Sequence, residues 1–252
     1  MRGMRPGIDS LEPWLRAYRS LPNPRLRLVC LPHAGGTASF FHSWIPWMSA
    51  AVELYAVRYP GRQDRLGEPC IERMDDLADR IASALVPLLD RPVALFGHSM
   101  GAAVAYEVGQ RLEAVSGFAL THLFVSGREA PHVARVTDLG RLDDDLLIKK
   151  IRALGDVDRG LLDDLDLREL ILPSLRADYR LIDGYRPEQP AKIAAPITAY
   201  AGVSDPGCRI EAARAWSELT TGGFDLRIFA GDHFYLVPAA AELIDDMLRR
   251  LG

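Results

Sequence analysis

Short apolar runs recur along the chain, each closed by glycine or proline and separated from the next by helix-like spacing. "LRLVCL" (26–31) stops at Pro32-His33-Ala34-Gly35-Gly36, and "VELYAVRY" (52–59) stops at Pro60-Gly61. "VALF" (93–96) runs into Gly97, while "THLFVSG", "PITAYAG" and "DLRIFAG", beginning at 121, 196 and 225, each end in glycine. Uninterrupted apolar strands suit a parallel sheet covered on both faces, where neither face meets water. Between the runs, "IERMDDLADRIASALVPLL" (71–89) places Ile71, Met74, Leu77, Ala78, Ile81 and Leu85 three and four positions apart, which predicts an amphipathic helix. "SFFHSWIPWMSA" (39–50) spaces Phe40, Phe41, Trp44, Ile45 and Trp47 in a near-helical way and predicts a helix packed on the sheet. A shorter helix is expected at Leu11–Tyr18, within an irregular, proline-bearing stretch. The alternation predicts the α/β class: a mostly parallel sheet flanked by helices.

One block breaks this rhythm. From Leu139 to Tyr185 no strand is legible, and the pattern predicts two or three helices with Gly155 and Gly160 between them. Leu142, Leu146, Leu147, Ile151 and Leu154 cover one face of the first. Ligands in open α/β sheets bind beyond the carboxyl ends of the strands, so this insertion (about 139–185) is expected to form a helical lid over a pocket there. No repeat, low-complexity tract or clear linker divides the chain, and a single domain spanning 1–252 is expected.

Composition narrows the classes. Hydrophobic residues at 48% and charged residues at 25% are ordinary globular values and exclude a disordered or fibrous chain. A net charge of -4 offers no whole-molecule attraction to nucleic acid or anionic lipid. Cys30, Cys70 and Cys208 are widely spaced and odd in number, against both a disulfide framework and a zinc site. With no signal-like apolar region and no run of membrane-spanning length, a cytoplasmic protein is expected.

The chemistry centres on Gly97-His98-Ser99-Met100-Gly101, which fits G-x-S-x-G between a strand and a helix. In a nucleophile elbow the serine takes strained backbone angles, and side chains two positions to either side would collide with neighbouring elements. The same letters also fit a plain glycine-rich turn, so a base, an acid and an oxyanion hole must be found elsewhere. Of six histidines, His33, His42 and His98 precede the serine, His122 begins a strand, and His132 lies before the insertion. His233, in "FAGDHFYL", follows the last strand, where a loop can aim its ring across the sheet ends. Asp205, in "AYAGVSDPGC", follows the preceding strand in what also reads as a turn, with Glu129 and Asp232 as rival acids. The oxyanion donors are assigned to the backbone N–H groups of Met100, after the nucleophile, and Ala34, in "LPHAGGTASFF".

"LPHAGG", "VRYPGRQDR", "LFGHSMGA", "SGREAP", the helical insertion, "AGVSDP" and "GDHFYL" occur in an order that resembles the stand-alone type II thioesterases of polyketide and nonribosomal-peptide synthesis. The resemblance runs from about residue 11 to the C-terminus and implies an α/β-hydrolase fold. It implies hydrolysis of aberrant or stalled acyl groups from the phosphopantetheine arm of acyl or peptidyl carrier proteins, without metal or bound cofactor; a monomer is expected. It puts the nucleophile on Ser99, the base on His233, the acid on Asp205 and the oxyanion donors on Ala34 and Met100. One departure is Ser204, where many relatives carry an acidic residue. Carrier proteins are acidic, so Arg62, Arg65 and Arg128, on loops near strand ends, are candidate contacts; for Arg62 and Arg65, bracing of their own loop is the simpler reading. The alternatives are a carboxylesterase or lipase, an acyltransferase, and a non-catalytic binding module of the same fold.

Overall fold

Seven strands form one sheet in the computed structural model, which describes residues 13–115, 117–155 and 163–252. The apolar runs become β2 (Leu26–Leu31), β3 (Val52–Val57), β4 (Val93–His98), β5 (His122–Ser126) and β6 (Ile197–Gly202), each buried along its whole length. β7 (Phe224–Phe229) forms one edge and is partly exposed. The other edge is β1 (Leu15–Arg19), and the spatial order is β1-β3-β2-β4-β5-β6-β7. Only β1 runs antiparallel.

β1 corrects the helix expected at Leu11–Tyr18, whose first two residues lie outside the described ones. Leu15 pairs with Val57 and Ala17 with Tyr55. A helix of eight residues is marginal by itself, whereas pairing here satisfies the backbone of β3, which would otherwise be an open edge.

Alternate side chains divide between two apolar layers. Val29, Leu31, Val93 and Leu95 face α1 (Met74–Leu85) and α2 (Met100–Glu113). Leu28, Cys30, Ala94 and Phe96 face the segment Ala38–Trp47 and the C-terminal helix. That segment winds as a 3-10 helix with Pro46 inside it. Proline supplies no N–H to the ladder, and the tighter turn keeps Phe41 and Trp44 buried while Trp47 points outward. The expected packing holds, with a different winding.

The insertion holds α3 (Asp144–Arg152) and α4 (Leu165–Gly184), preceded by a 3-10 turn at Leu139–Arg141. Gly160 lies outside the described residues. Asp143 accepts the Leu146 N–H at 2.9 Å, and Asp164 accepts those of Asp166 and Leu167 at 3.0 and 3.1 Å, so both helices start on carboxylate caps. α4 is tied back by Asp183, which accepts the Gly140 N–H at 2.8 Å, and by Arg176, which donates to Gly140 O at 3.0 Å. The chain ends with α5 (Ile210–Arg214) against β6 and α6 (Ala240–Leu251) on the second layer. All three cysteines are free, and among the described residues no helix is long and apolar enough to cross a membrane.

From β2 the chain steps outward to β3 and then returns on the other side as β4. That reversal leaves a crevice where the loops after β2 and β4 lie side by side at the carboxyl end of the sheet.

Candidate active site

Ser99 sits at the turn from β4 into α2 with φ +54° and ψ −117°, in the left-handed half of backbone space. Such a conformation costs about 1–3 kcal/mol and persists only where neighbours over-determine it. Here the Ser99 N–H donates to Ser126 O at 2.8 Å, and the Ala102 N–H donates to Ser99 O at 3.0 Å. A Cβ on Gly97 would overlap the Gly101 carbonyl, and one on Gly101 would overlap the carbonyls of Leu31 and Pro32. The two glycines therefore let the turn close on itself and press against β2. Although Ser99 caps α2, its hydroxyl makes no capping bond. Oγ is left for the cavity in front of it.

Leu31 pairs with Gly97, which sets the loop after β2 against the elbow. In that loop the Gly36 N–H donates to His33 O at 2.9 Å and the Gly35 N–H to Asp178 Oδ2 at 2.8 Å. The N–H groups of Ala34 and Met100 have no acceptor among the described residues. Two unengaged amides thus flank the serine, one at the N-terminus of α2, where the helix dipole favours negative charge.

His233 and Asp205 are both buried and meet at 2.8 Å, Nδ1 to Oδ2. Asp205 Oδ1 accepts the Gly207 N–H at 2.7 Å, so the aspartate both shapes its turn and holds the imidazole. The His233 N–H donates to Leu154 O of the insertion at 3.2 Å. With Nδ1–H on the carboxylate, Nε2 is left to accept a proton. Ser204 is exposed; its N–H donates to Gly231 O at 3.0 Å, and its side chain takes no part in holding Asp205.

The rival acids are engaged elsewhere. Burial opposes ionisation of Glu129, but hydrogen bonds from Arg209 and Arg135 more than offset it and hold the carboxyl below its usual range. Asp232 accepts the Phe234 N–H at 2.8 Å and shapes the loop that carries His233.

Two further histidines lie behind the site. His98 Nδ1 is 2.9 Å from Ser126 Oγ, its ring is 4.8 Å from that of His233, and the His33 ring is 5.9 Å from it. Burial first, then His233 and His33, holds His98 well below the usual imidazole range; burial, then His233 and Arg62, brings His33 down to about 3. His122, remote from the serine and 2.8 Å from Thr198 Oγ1, is lowered to about 4, chiefly by burial. All three are neutral when folded and take up protons when unfolded below their ordinary value. Their contribution is therefore fully present above about pH 6.5 and is lost as pH falls from there towards the folded values, by up to about 1.4 kcal/mol per pH unit for each. Urea unfolding at stepped pH is expected to show stability falling steeply from pH 6.5 to 4.5, with His122→Gln removing about one proton's share of the slope. Stability flat across that range would contradict the assignment.

Ser99 and His233 line one cavity of about 390 Å³, walled by Leu139, Leu154, Tyr179 and Ile182 of the insertion. The insertion thus roofs the space in front of the serine. Arg128 turns into the same cavity; its Nε has no partner among the described residues, and burial lowers its pKa. Arg62 and Arg65 are buried braces: Arg65 donates to Arg58 O at 2.6 Å and stacks 4.1 Å from the Trp14 ring, while Arg62 pairs with Asp178. Arg62 and Arg65 therefore present no free cation on the surface, whereas Arg128 faces the cavity. Among the described residues, no group of three His, Cys, Asp or Glu could hold a metal ion.

A serine on a strained elbow at the carboxyl edge of this sheet, with a carboxylate-held imidazole across from it, defines an α/β-hydrolase. A thioesterase-domain family model matches residues 26–251, and the chain belongs to the thioesterase family, hydrolases acting on thioesters. It is 40% identical over 235 residues to the thioesterase PikA5 of Streptomyces venezuelae, covering 93% of this chain and 84% of that protein. It is 33% identical over 245 residues to the gramicidin S biosynthesis protein GrsT of Aneurinibacillus migulanus, covering 97% of this chain and 96% of that one. Among solved structures it resembles the type II thioesterase BorB from the borrelidin biosynthetic cluster, with a TM-score of 0.88 and 39% identity over 95% of this chain and 98% of that one. The type II thioesterase resemblance and the α/β-hydrolase fold expected from the motifs both hold.

Asp178 was not legible as part of the site. It lies on the insertion, 116 residues from its partner Arg62, with no motif to mark it.

Proposed function

We propose that this thioesterase frees carrier proteins of polyketide or nonribosomal-peptide synthesis from aberrant or stalled acyl groups held on their phosphopantetheine arms. His233 Nε2 takes the proton from Ser99 Oγ as Oγ attacks the thioester carbonyl. The tetrahedral oxyanion lies against the N–H groups of Ala34 and Met100. Collapse breaks the C–S bond, His233 returns the proton to the leaving thiolate, and water activated by the same imidazole hydrolyses the acyl-enzyme. The balance closes with one water consumed and one acid and one thiol released, and no step calls on a metal or a bound cofactor. The protein acts in the cytoplasm, as a monomer.

The observation that carries the reading is that the unbonded Ser99 hydroxyl and the His233 ring, held from behind by Asp205, line one cavity, with two unengaged amides in the elbow and the neighbouring loop. The competing reading is a carboxylesterase using the same groups. Comparing kcat/KM for an acyl-pantetheine thioester and the matched oxygen ester separates them: a preference for the thioester is expected, and a strong preference for the oxygen ester would overturn the proposal.

A further inference from the structure

α4 turns one face towards the site. Leu175, Asp178, Tyr179 and Ile182 fall at helical spacing and are all buried. Tyr179 and Ile182 wall the cavity, whereas Leu175 and Asp178 reach the loop that carries Ala34. A Cβ on Gly35 would lie 2.6 Å from Leu175 Cδ1, so helix and loop are in direct contact.

Asp178 is the centre of a clamp. Its Oδ2 accepts the Gly35 N–H at 2.8 Å and Arg62 Nη1 at 2.6 Å; its Oδ1 accepts Arg62 Nη2 at 2.7 Å. Arg62 Nη1 also donates to Gly36 O at 3.2 Å. Both residues are buried, at 3% and 7% exposure. A buried ion pair is weak support for stability, because desolvating two charges offsets much of their attraction. The clamp has a more specific consequence. In a trans peptide the C=O and the following N–H point in opposite directions, so fixing His33 O fixes the aim of the Ala34 N–H. His33 O is held by the Gly36 N–H at 2.9 Å, and the Gly35–Gly36 segment is itself held on one side by Asp178 and on the other by Arg62.

We propose that Asp178 is a positioning residue: through Gly35, and with Arg62 as its anchor, it aims the Ala34 N–H at the developing oxyanion and makes that aim depend on α4 being seated. This rests on Ser99 and Ala34 having the roles proposed above. A lid helix that also sets an oxyanion donor couples closure of the cavity to competence for the chemistry. An acyl group that lets α4 settle would be hydrolysed, and one that holds α4 away would meet a single aligned donor.

The test uses two double variants that avoid leaving a lone buried charge. Arg62→Met/Asp178→Leu replaces the pair by apolar side chains and removes the acceptor for the Gly35 N–H; Arg62→Met/Asp178→Asn removes the charges and keeps an amide oxygen for it. Steady-state kinetics on a hexanoyl-pantetheine thioester are compared with inhibition by an alkylboronic acid, whose serine adduct mimics the tetrahedral intermediate. For Met/Leu, kcat is expected to fall about 10–100-fold with KM nearly unchanged and boronate affinity to fall in step, as for a displaced rather than deleted donor. The Met/Asn protein is expected to recover most of both. Equal kcat in the two doubles, or boronate affinity that does not follow kcat, would overturn the proposal. Should the Met/Leu protein fail to fold, Asp178→Glu keeps the charge and shifts the acceptor by one methylene. It is expected to show the same kcat-selective loss at roughly 3–10-fold, and unchanged kcat in it would overturn the proposal equally. An unsubstituted protein that neither cleaves the thioester nor binds the boronate would instead defeat the parent reading.

Discussion

Ser99→Ala is expected to lower kcat on acyl thioesters by a factor on the order of 10⁴–10⁶, with unfolding temperature and fold unaltered. Removing the nucleophile alone costs about as much as removing a whole triad, because the three groups act as a unit. Little structural change is expected, since the Ser99 hydroxyl makes no capping bond and the elbow is held by the Ser99 N–H on Ser126 O and by the two flanking glycines. Alanine is also strained at φ +54°, but no more than serine is. The relevant measurement is single-turnover release of a radiolabelled acyl group, where background hydrolysis can be subtracted. Retention of more than about a hundredth of the activity would remove Ser99 from the role of nucleophile.

Asp205→Asn is expected to lower kcat by about 10³–10⁴ while preserving the turn. The side-chain oxygen can still accept the Gly207 N–H, which now bonds Oδ1 at 2.7 Å. The amide NH2 then faces His233 Nδ1 and requires it to be an acceptor. That forces the proton onto Nε2, the atom that must receive the serine proton. Glu129→Gln is the control: its carboxylate is spent on Arg209 and Arg135, so the change is expected to lower stability and leave kcat within a few-fold. Kinetics on the two variants decide the assignment. A larger kcat loss for Glu129→Gln than for Asp205→Asn would transfer the acid role to the end of β5.

The parts of the site readable from the chain are those whose physical cause is local. A Cβ at Gly97 or Gly101 would collide with carbonyls of the elbow or of the adjoining end of β2, so the G-x-S-x-G spacing records the turn's sterics directly. Asp205 and His233 follow strands β6 and β7 at once, and parallel pairing of Gly202 with Phe229 brings those two strand ends together. The sheet was legible because strands buried on both faces carry mostly apolar residues, as β2 to β6 do apart from a few paired polar positions such as Arg27 and Glu53. β1 was not, because an edge strand of mixed burial carries no such run, and Leu11–Tyr18 fits a helical spacing equally well. The 3-10 winding of Ala38–Trp47 also escaped, since the near-helical spacing does not distinguish it from an α-helix. The Arg62–Asp178 clamp depends on how an insertion docks on a loop far away in sequence, and only the fold brings the two together. Arg128 is on a loop near a strand end, as expected of a candidate carrier contact, and there it turns into the cavity.

The central claim is that Ser99 discharges acyl groups from carrier proteins, and intact-mass spectrometry of a loaded carrier tests it most directly. A carrier protein bearing an acyl-phosphopantetheine arm is incubated with the enzyme, and the masses of both proteins are followed in time. The account expects the carrier to lose the acyl mass and return to its free-thiol form, with a transient acyl adduct on the enzyme that Ser99→Ala abolishes. A carrier that keeps its acyl group beside an enzyme fully active on simple oxygen esters would contradict it.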